Sequence, residues 1–468
     1  GLIEEMHTPR NPLDVLAQQT VAAVAAAGED GLDADEWYEM VRRAWPYRDL
    51  AREVYDSVLD LVSGVYPSTD FAELKPRVVY DRVTGVMTAR PGAQRVAVTS
   101  GGTIPDRGMF GVFLYTGPGE GSGGAPRRVG ELDEEMVYES RVGDVFTLGA
   151  TSWRIEDITR DQVLVTPAPG HTGRLPFWNG DGAGRPYELG KALGEYRREV
   201  FSSPEVIADA DDNARSNIVA YLQEQNDATG VIPDEKTLVL ERFRDELGDW
   251  RVVLHTPFGR PVNSAWALAV GARVGERTGM DPQAVAGDDG IVLRLPEAES
   301  EPDGSIFAFD ADEIADIVSE QVGNSALFAS RFRECAARAL LLPRRNPGKR
   351  APLWQQRQRA EQLLDVARKY PSFPIILETV RECVQDVYDV PALTEVMREL
   401  GHRRIRIAEV TTEQPSPFAS SLLFNYTGAF MYEGDSPLAE KRAAALALDP
   451  TLLAKLLGTV ELRELLDP

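Results

Sequence analysis

From Pro12 onward, Leu13, Leu16, Val21, Val24 and Ala25 recur at helical spacing, and the pattern stops at Gly28, which predicts a first helix. Asp33 reads as the N-cap of a second helix, with Glu36 three residues on as its capping-box partner; Trp37, Met40, Val41 and Ala44 carry it to Pro46. A third helix runs through Leu50, Val54, Val58, Leu61 and Val62 and ends at Gly64. Val78, Tyr80 and Val86 to Thr88 then flank a turn at Thr84 and Gly85. Three short helices followed by a hairpin, tightly joined, is the order of a winged helix.

After Pro91 the pattern shortens to strands. The runs RVAVTS, FGVFLY, VGDVFTLG, TSWRIEDIT and DQVLVTP, punctuated by Gly and Asp, predict a small β-rich extension with Tyr115 to Pro126 as a surface loop. Helices are expected from about Tyr187 to Phe201 and from Pro204 to Asn226. Leu238 to Phe243, Trp250 to His255 and Gly290 to Leu295 read as strands, Val262 to Arg277 as an apolar helix, and Asp310 to Pro468 as mainly helical. The class is α+β: a winged-helix domain over 1–172 (helices over 1–76, β-rich extension over 77–172), then a mixed β-barrel-like and helical domain over 173–468.

Composition narrows the function. In 468 residues the longest apolar run, Val21 to Ala27, is far too short to cross a bilayer, so no membrane partner is expected. Two cysteines, Cys335 and Cys383, cannot build a disulfide scaffold, and no signal-peptide pattern opens the chain, which makes the cytoplasm the expected location. The net charge of -24 argues against coating nucleic acid by bulk positive charge; any such binding must be local. The chain opens at Gly1 in sequence that soon reads as structured, which points to a piece of a longer polypeptide.

The catalytic inventory is thin. Residues 119–124 (GEGSGG) match a dinucleotide fingerprint literally, but Ala125, Pro126, Arg127 and Arg128 follow where an apolar helix is needed. There is no phosphate-binding loop of P-loop type. The histidines His7, His171, His255 and His402 lack ligand spacing, and both cysteines sit in helical RFRECAAR and VRECVQDV as small buried hydrophobes.

Three segments have both a bland and a functional reading. Arg331 to Lys369 holds eleven basic residues against three acidic ones, a local +8. It is either a solvated helical face neutralised by acidic neighbours or a phosphate-tracking surface, with Arg344, Arg345, Lys349 and Arg350 presented by Pro-rich PRRNPGKRAP. Trp178, in Gly-rich RLPFWNGDGAGRPYELG, is either packed or stacks on nucleobases. Ile104, in SGGTIPDRG, either plugs the mouth of a β-barrel or stands out on a turn as a wedge against a base.

Taken together, PFWNGDGAGRPYELGKAL, HTPFGRPVNSAWALA, LLLPRRNPGKRAPLWQQRQRA, FPIILETVRECVQDVYDV, TTEQPSPFASSLLFNYTGAFMYEGDSPLAEKRAAAL and the opening HTPRNPLDVLAQQ resemble the large helicase-related (Lhr) family of bacterial superfamily 2 helicases, over essentially the whole chain. The resemblance implies the region that follows two RecA-like motor domains: a winged helix, then a DEAD/H-associated domain over 173–468. It implies a parent protein that is an ATP-dependent 3′-to-5′ single-strand translocase and helicase linked to DNA repair. ATP and Mg²⁺ would belong to the motor domains, with no cofactor and no complete catalytic site in this chain. Implied partners are single-stranded DNA or an RNA:DNA hybrid, and the motor domains of the same polypeptide. In this reading Trp178 and Ile104 contact bases, and Arg344, Arg345, Lys349 and Arg350 contact the backbone. The alternative, from a different class, is a protein-interaction scaffold that touches no nucleic acid. Acidic Asp49, Glu53, Asp56 and Asp60 on the third helix argue against its reading a major groove.

Overall fold

Leu13, Leu16, Ala17, Val21 and Val24 all turn to one side of helix α1 (Leu13–Ala27) and are buried there, as their spacing requires. The computed structural model that shows this describes residues 4 and 6–423, apart from 67–73, 105–108, 116–126, 134–135, 138–139, 149–150, 160–161, 170–183, 209, 246–247, 280–282, 296–300, 324, 343–344, 347–348, 351–352 and 371. Strand β1 (Leu32–Asp33) leads into α2 (Ala34–Arg42), and the Asp33 carboxylate accepts from the N–H groups of Asp35 and Glu36 at 2.9 and 3.0 Å, capping α2 as expected. α3 (Arg52–Ser63) ends at left-handed Gly64, and the hairpin of β2 (Val78–Tyr80) and β3 (Val86–Ala89) joins β1 in the order β1-β3-β2. This is a winged helix.

The β-rich extension departs from expectation at its first run. RVAVTS forms a stretch of helix, α4 (Ala93–Thr99), not a strand. Ala93, Val96 and Ala97 fall at i, i+3 and i+4 and pack on the winged-helix core, and that contact decides a sequence compatible with either period. The remaining runs do form a sheet. β4 (Met109–Leu114), β5 (Arg128–Asp133), β6 (Val145–Leu148), β7 (Thr151–Ile158) and β8 (Gln162–Pro167) lie in the order β5-β4-β8-β7-β6, with β4 and β8 parallel. Phe110, Val112, Leu132, Phe146, Ile155, Val163 and Val165 give this sheet its own core.

α5 (Tyr187–Ser202) forms as read, but the next helix begins later than expected. Pro204–Val206 makes only a short 3₁₀ turn, and α6 (Asp212–Thr229) starts where Asp211 caps the Ala214 N–H at 2.7 Å. β9 (Thr237–Arg244) and β10 (Trp250–His255) pair antiparallel, followed by α7 (Arg260–Thr278), β11 (Gln283–Gly287) and β12 (Gly290–Leu295). A further strand, β15 (Arg406–Thr411), lies in the region expected to be helical and adds to β9 in parallel. The order β11-β12-β10-β9-β15 has two unpaired edges among the described residues, so this is an open half-barrel, not a closed barrel. Leu238, Leu240, Val252 and Leu254 face α7, while Phe243, Val253 and Val292 face Ala419, Leu422 and Leu423 from a helical segment at 417–423. Both faces of the central strands are thereby covered, which is why they read as nearly continuous apolar runs.

The helical region comprises α8 (Ile314–Val322), α9 (Ala326–Arg338), α10 (Leu353–Ala367), α11 (Pro374–Arg381), continued by a π-helical stretch to Val387, and α12 (Val390–Gly401). Between α9 and α10 lies a two-stranded hairpin, β13 (Arg345–Asn346) and β14 (Lys349–Arg350). The apolar faces of α1 and α3 run without interruption into those of α9 and α11, with Phe332, Cys335, Ala336, Leu340, Phe373 and Ile375 in one cluster with Leu13, Leu16 and Val58. Among the described residues, no helix is long and apolar enough to cross a membrane.

Candidate nucleic-acid interface

Ile104 is 88% exposed, so it does not plug a barrel. The two glycines before it make its turn. A Cβ at Gly101 would lie 2.5 Å from the Ala97 carbonyl oxygen, and Gly102 takes φ +109°, where L side chains are strained. Gln18 of α1, buried to 2% exposure, holds the turn from below. Its Oε1 accepts from the Gly102 N–H at 2.9 Å, and its Nε2 donates to the Gly102 carbonyl at 3.1 Å and to the Arg338 carbonyl at 2.7 Å.

Arg338 is the last residue of α9. The chain continues through buried Leu340, Leu341 and Leu342, where Arg77 of the winged helix donates to the Leu340 carbonyl at 3.2 Å, and then enters the β13–β14 hairpin. Gln18 thus ties the Ile104 turn to the end of α9, the helix that precedes the hairpin carrying Arg345, Lys349 and Arg350. Arg344, the side chains of Arg345, Lys349 and Arg350, and Trp178 lie outside the described residues, as does the 119–124 glycine run.

The basic stretch from Arg331 to Lys369 is not one continuous cationic surface. Arg338 turns inward, where its guanidinium donates to Asp14 and Glu382. Arg331 pairs with Glu334 at 2.9 Å and Glu382 at 3.4 Å, and Arg368 donates to the Gly323 carbonyl. Arg331 and Arg338 fit neither reading: they are not a solvated face but neutralise buried acids within the helix packing. Counting charges along a sequence does not show which way a helical arginine points.

Two clusters resemble catalytic or metal sites and are neither. Oxygen and sulfur atoms of Asp14, Cys335 and Glu382 lie within 4.8 Å of one another, as metal ligands would. The Arg338 guanidinium sits among them, 3.3 Å from the Cys335 sulfur, a fixed cation in the position an ion would need. Burial holds the Cys335 thiol well above its ordinary range, against the thiolate that metal binding requires. The second cluster joins a carboxylate, a histidine and a serine. Glu241 Oε2 lies 2.8 Å from His255 Nε2, and Ser416 donates from Oγ to Glu241 Oε2 at 2.6 Å and from its N–H to Oε1 at 2.7 Å. A nucleophilic serine needs the histidine as its neighbour and access to substrate. Here Ser416 bonds the carboxylate and all three residues are buried. Burial pushes Glu241 upward, but the bonds from His255 and Ser416 outweigh it and hold the carboxyl below its usual range. The cluster clamps the 417–423 segment onto the half-barrel.

Among the described residues, α3 offers no groove-reading face. Its Asp56 and Asp60 are engaged by Arg52 and Arg82, and its other side packs against α11. Gln18 was not visible as a candidate in the sequence. Its signal was present: with Asp14 it forms an i, i+4 polar pair inside the buried stripe of α1, and both face α9.

Two family models match this chain. The family described as "Large helicase-related protein, winged helix domain" matches residues 1–175, and that described as "DEAD/H associated" matches residues 232–419. A Mycolicibacterium smegmatis protein named Lhr helicase/probable uracil glycosylase is 63% identical over the whole chain and 31% of its own length. The chain belongs to the large helicase-related family. An Escherichia coli Lhr helicase/uracil glycosylase is 58% identical over the whole chain and 30% of its own length, so this Lhr chain spans about a third of these two relatives. A Saccharolobus solfataricus ATP-dependent helicase Lhr-Core is 27% identical over 90% of the chain and 49% of that protein. Among solved structures, Mycobacterium smegmatis helicase Lhr bound to ssDNA and AMP-PNP superimposes with a TM-score of 0.70 at 53% identity, over 90% of this chain and 49% of that one.

Proposed function

We propose that this chain is the non-motor half of an ATP-dependent 3′-to-5′ single-strand translocase and helicase, and that it grips the tracking strand by phosphate contacts and base stacking. In this reading 1–172 and 173–468 are its two domains. ATP and Mg²⁺ belong to motor domains of the same polypeptide, and single-stranded DNA or an RNA:DNA hybrid is the substrate. The observation that carries the proposal is Ile104, an aliphatic side chain held in solvent on a turn whose anchor, Gln18, also bonds the end of α9, the helix that leads to the basic hairpin. A sequence-tolerant grip needs that pairing: an apolar tip for the bases and nearby cations for the phosphates. A relative of this family has been solved with single-stranded DNA, which supports the same partner here. Trp178 supplies the stacking platform, and Arg344, Arg345, Lys349 and Arg350 supply the phosphate contacts.

Salt titration tests this. The chain is expected to bind single-stranded DNA at about 50 mM salt, with affinity falling steeply as salt rises. Trp178→Ala is expected to weaken binding with the fold intact. Absence of binding at low salt, together with unfolding of the Trp178→Ala variant, would leave the scaffold reading in its place.

A further inference from the structure

We propose that Gln18 is a positioning residue for strand binding: it fixes the Ile104 turn relative to the end of α9, the helix from which the chain runs to the basic hairpin. The inference rests on the strand-gripping reading above. Three observations carry it. The Gln18 amide is fully engaged, with both Nε2 hydrogens and the Oε1 oxygen directed at backbone groups. Its partners belong to two separate segments, Gly102, two residues before Ile104, and Arg338 at the end of α9. Finally, its side chain is buried in a helix whose other inward residues are largely apolar.

A buried primary amide with every polar atom paired has one orientation, because rotation would leave several groups without partners at once. Gly102 is held from both its N–H and its carbonyl, so the peptide leading to Ile104 cannot turn over without breaking two bonds together. The third bond ties that same amide to the carbonyl from which the chain departs toward β13. Gln18 touches neither bases nor phosphates; it acts through Ile104 and the hairpin.

The test is a double-mutant cycle on the 468-residue chain, read by fluorescence anisotropy of labelled single-stranded DNA at about 50 mM salt. Gln18→Met keeps the side-chain length and removes the bonds to Gly102 and Arg338. Affinity is expected to fall about tenfold, the scale of one lost base contact, and to fall little further when the change is made in an Ile104→Ala background. Hydrogen exchange at the Gly102 amide is expected to accelerate while α1 stays protected. Because Gln18→Met lies in the core, Gly102→Ala provides a second route. It strains the turn at φ +109° while its Cβ meets nothing within 4 Å, and it is expected to reproduce the loss. If Gln18→Met unfolds the chain, the Gly102→Ala cycle with Ile104→Ala decides alone. Wild-type binding by Gln18→Met and Gly102→Ala, with Ile104→Ala still impaired, overturns the positioning role and leaves strand gripping intact. An equal loss in both backgrounds also overturns it. If Ile104→Ala, Lys349→Ala and Arg350→Ala all bind like wild type, strand gripping itself fails.

Discussion

Arg338 shows how one side chain can be read in two ways. In the sequence it counts toward a cationic surface; in the fold its guanidinium joins Asp14 of the winged helix to Glu382 beyond α11, with Cys335 against it. Breaking a buried pair costs far more than the pair contributes, because the abandoned carboxylates remain without a counter-charge. Arg338→Met is therefore expected to destabilise the chain by about 3–5 kcal/mol in urea unfolding, whereas a surface arginine would cost well under 1 kcal/mol. A loss of that smaller size would mean that Asp14 and Glu382 find other partners. The turn at Ile104 was legible because the two glycines that precede Thr103 are a local signal, but the same turn could have plugged a barrel, and only the fold shows the side chain in solvent. Gln18 was missed because a glutamine on a helix reads by default as solvent-facing; its i, i+4 pairing with Asp14 inside the apolar stripe marks it as inward, but only the fold supplies its distant partners Gly102 and Arg338.

Among elements, legibility followed length and locality. The first three helices carry enough turns for one face to be unmistakable, and they formed as read. α4 failed because seven residues satisfy both a period of two and an i, i+3, i+4 stripe, and only contact with α1 chooses between them. β15 failed because its partner β9 lies far upstream, and a parallel pairing leaves no turn signal in the sequence. The 417–423 segment is held by the same kind of remote contact. Ser416 bonds Glu241 and also accepts from the Ala419 N–H at 3.2 Å, acting as a helix cap. Ser416→Ala is expected to cost about 1–3 kcal/mol and to speed hydrogen exchange in 417–423 before the rest of the half-barrel. Uniform loss of protection across β9 and β10 would show that the clamp is not local.

At the scale of the whole molecule, two buried carboxylates give opposite responses to pH. Burial, with Asp14 adding to it and Arg381 opposing, lifts Glu378 to about 7. A raised carboxyl binds its proton more tightly in the fold than in the unfolded chain, so its contribution to stability grows as pH falls through 7 toward the ordinary carboxylate range. Glu241 is shifted downward; its contribution is complete above the ordinary range and is lost only in stronger acid. The two windows do not overlap. The thermal midpoint is expected to rise between about pH 8 and about pH 6, and Glu378→Gln is expected to remove that rise. A midpoint that falls over this interval in the parent chain would reverse the assignment. Glu378 Oε2 also accepts from the Leu13 N–H at 2.7 Å, so this titration is felt at the first residue of α1.

The continuous apolar cluster from α1 and α3 into α9 and α11 has a mechanical corollary. Pulling on the tip at 104 would load Gly102 and, through Gln18, both α1 and the end of α9. Strain entering at that turn would thus be divided between two helices whose apolar faces are already packed together.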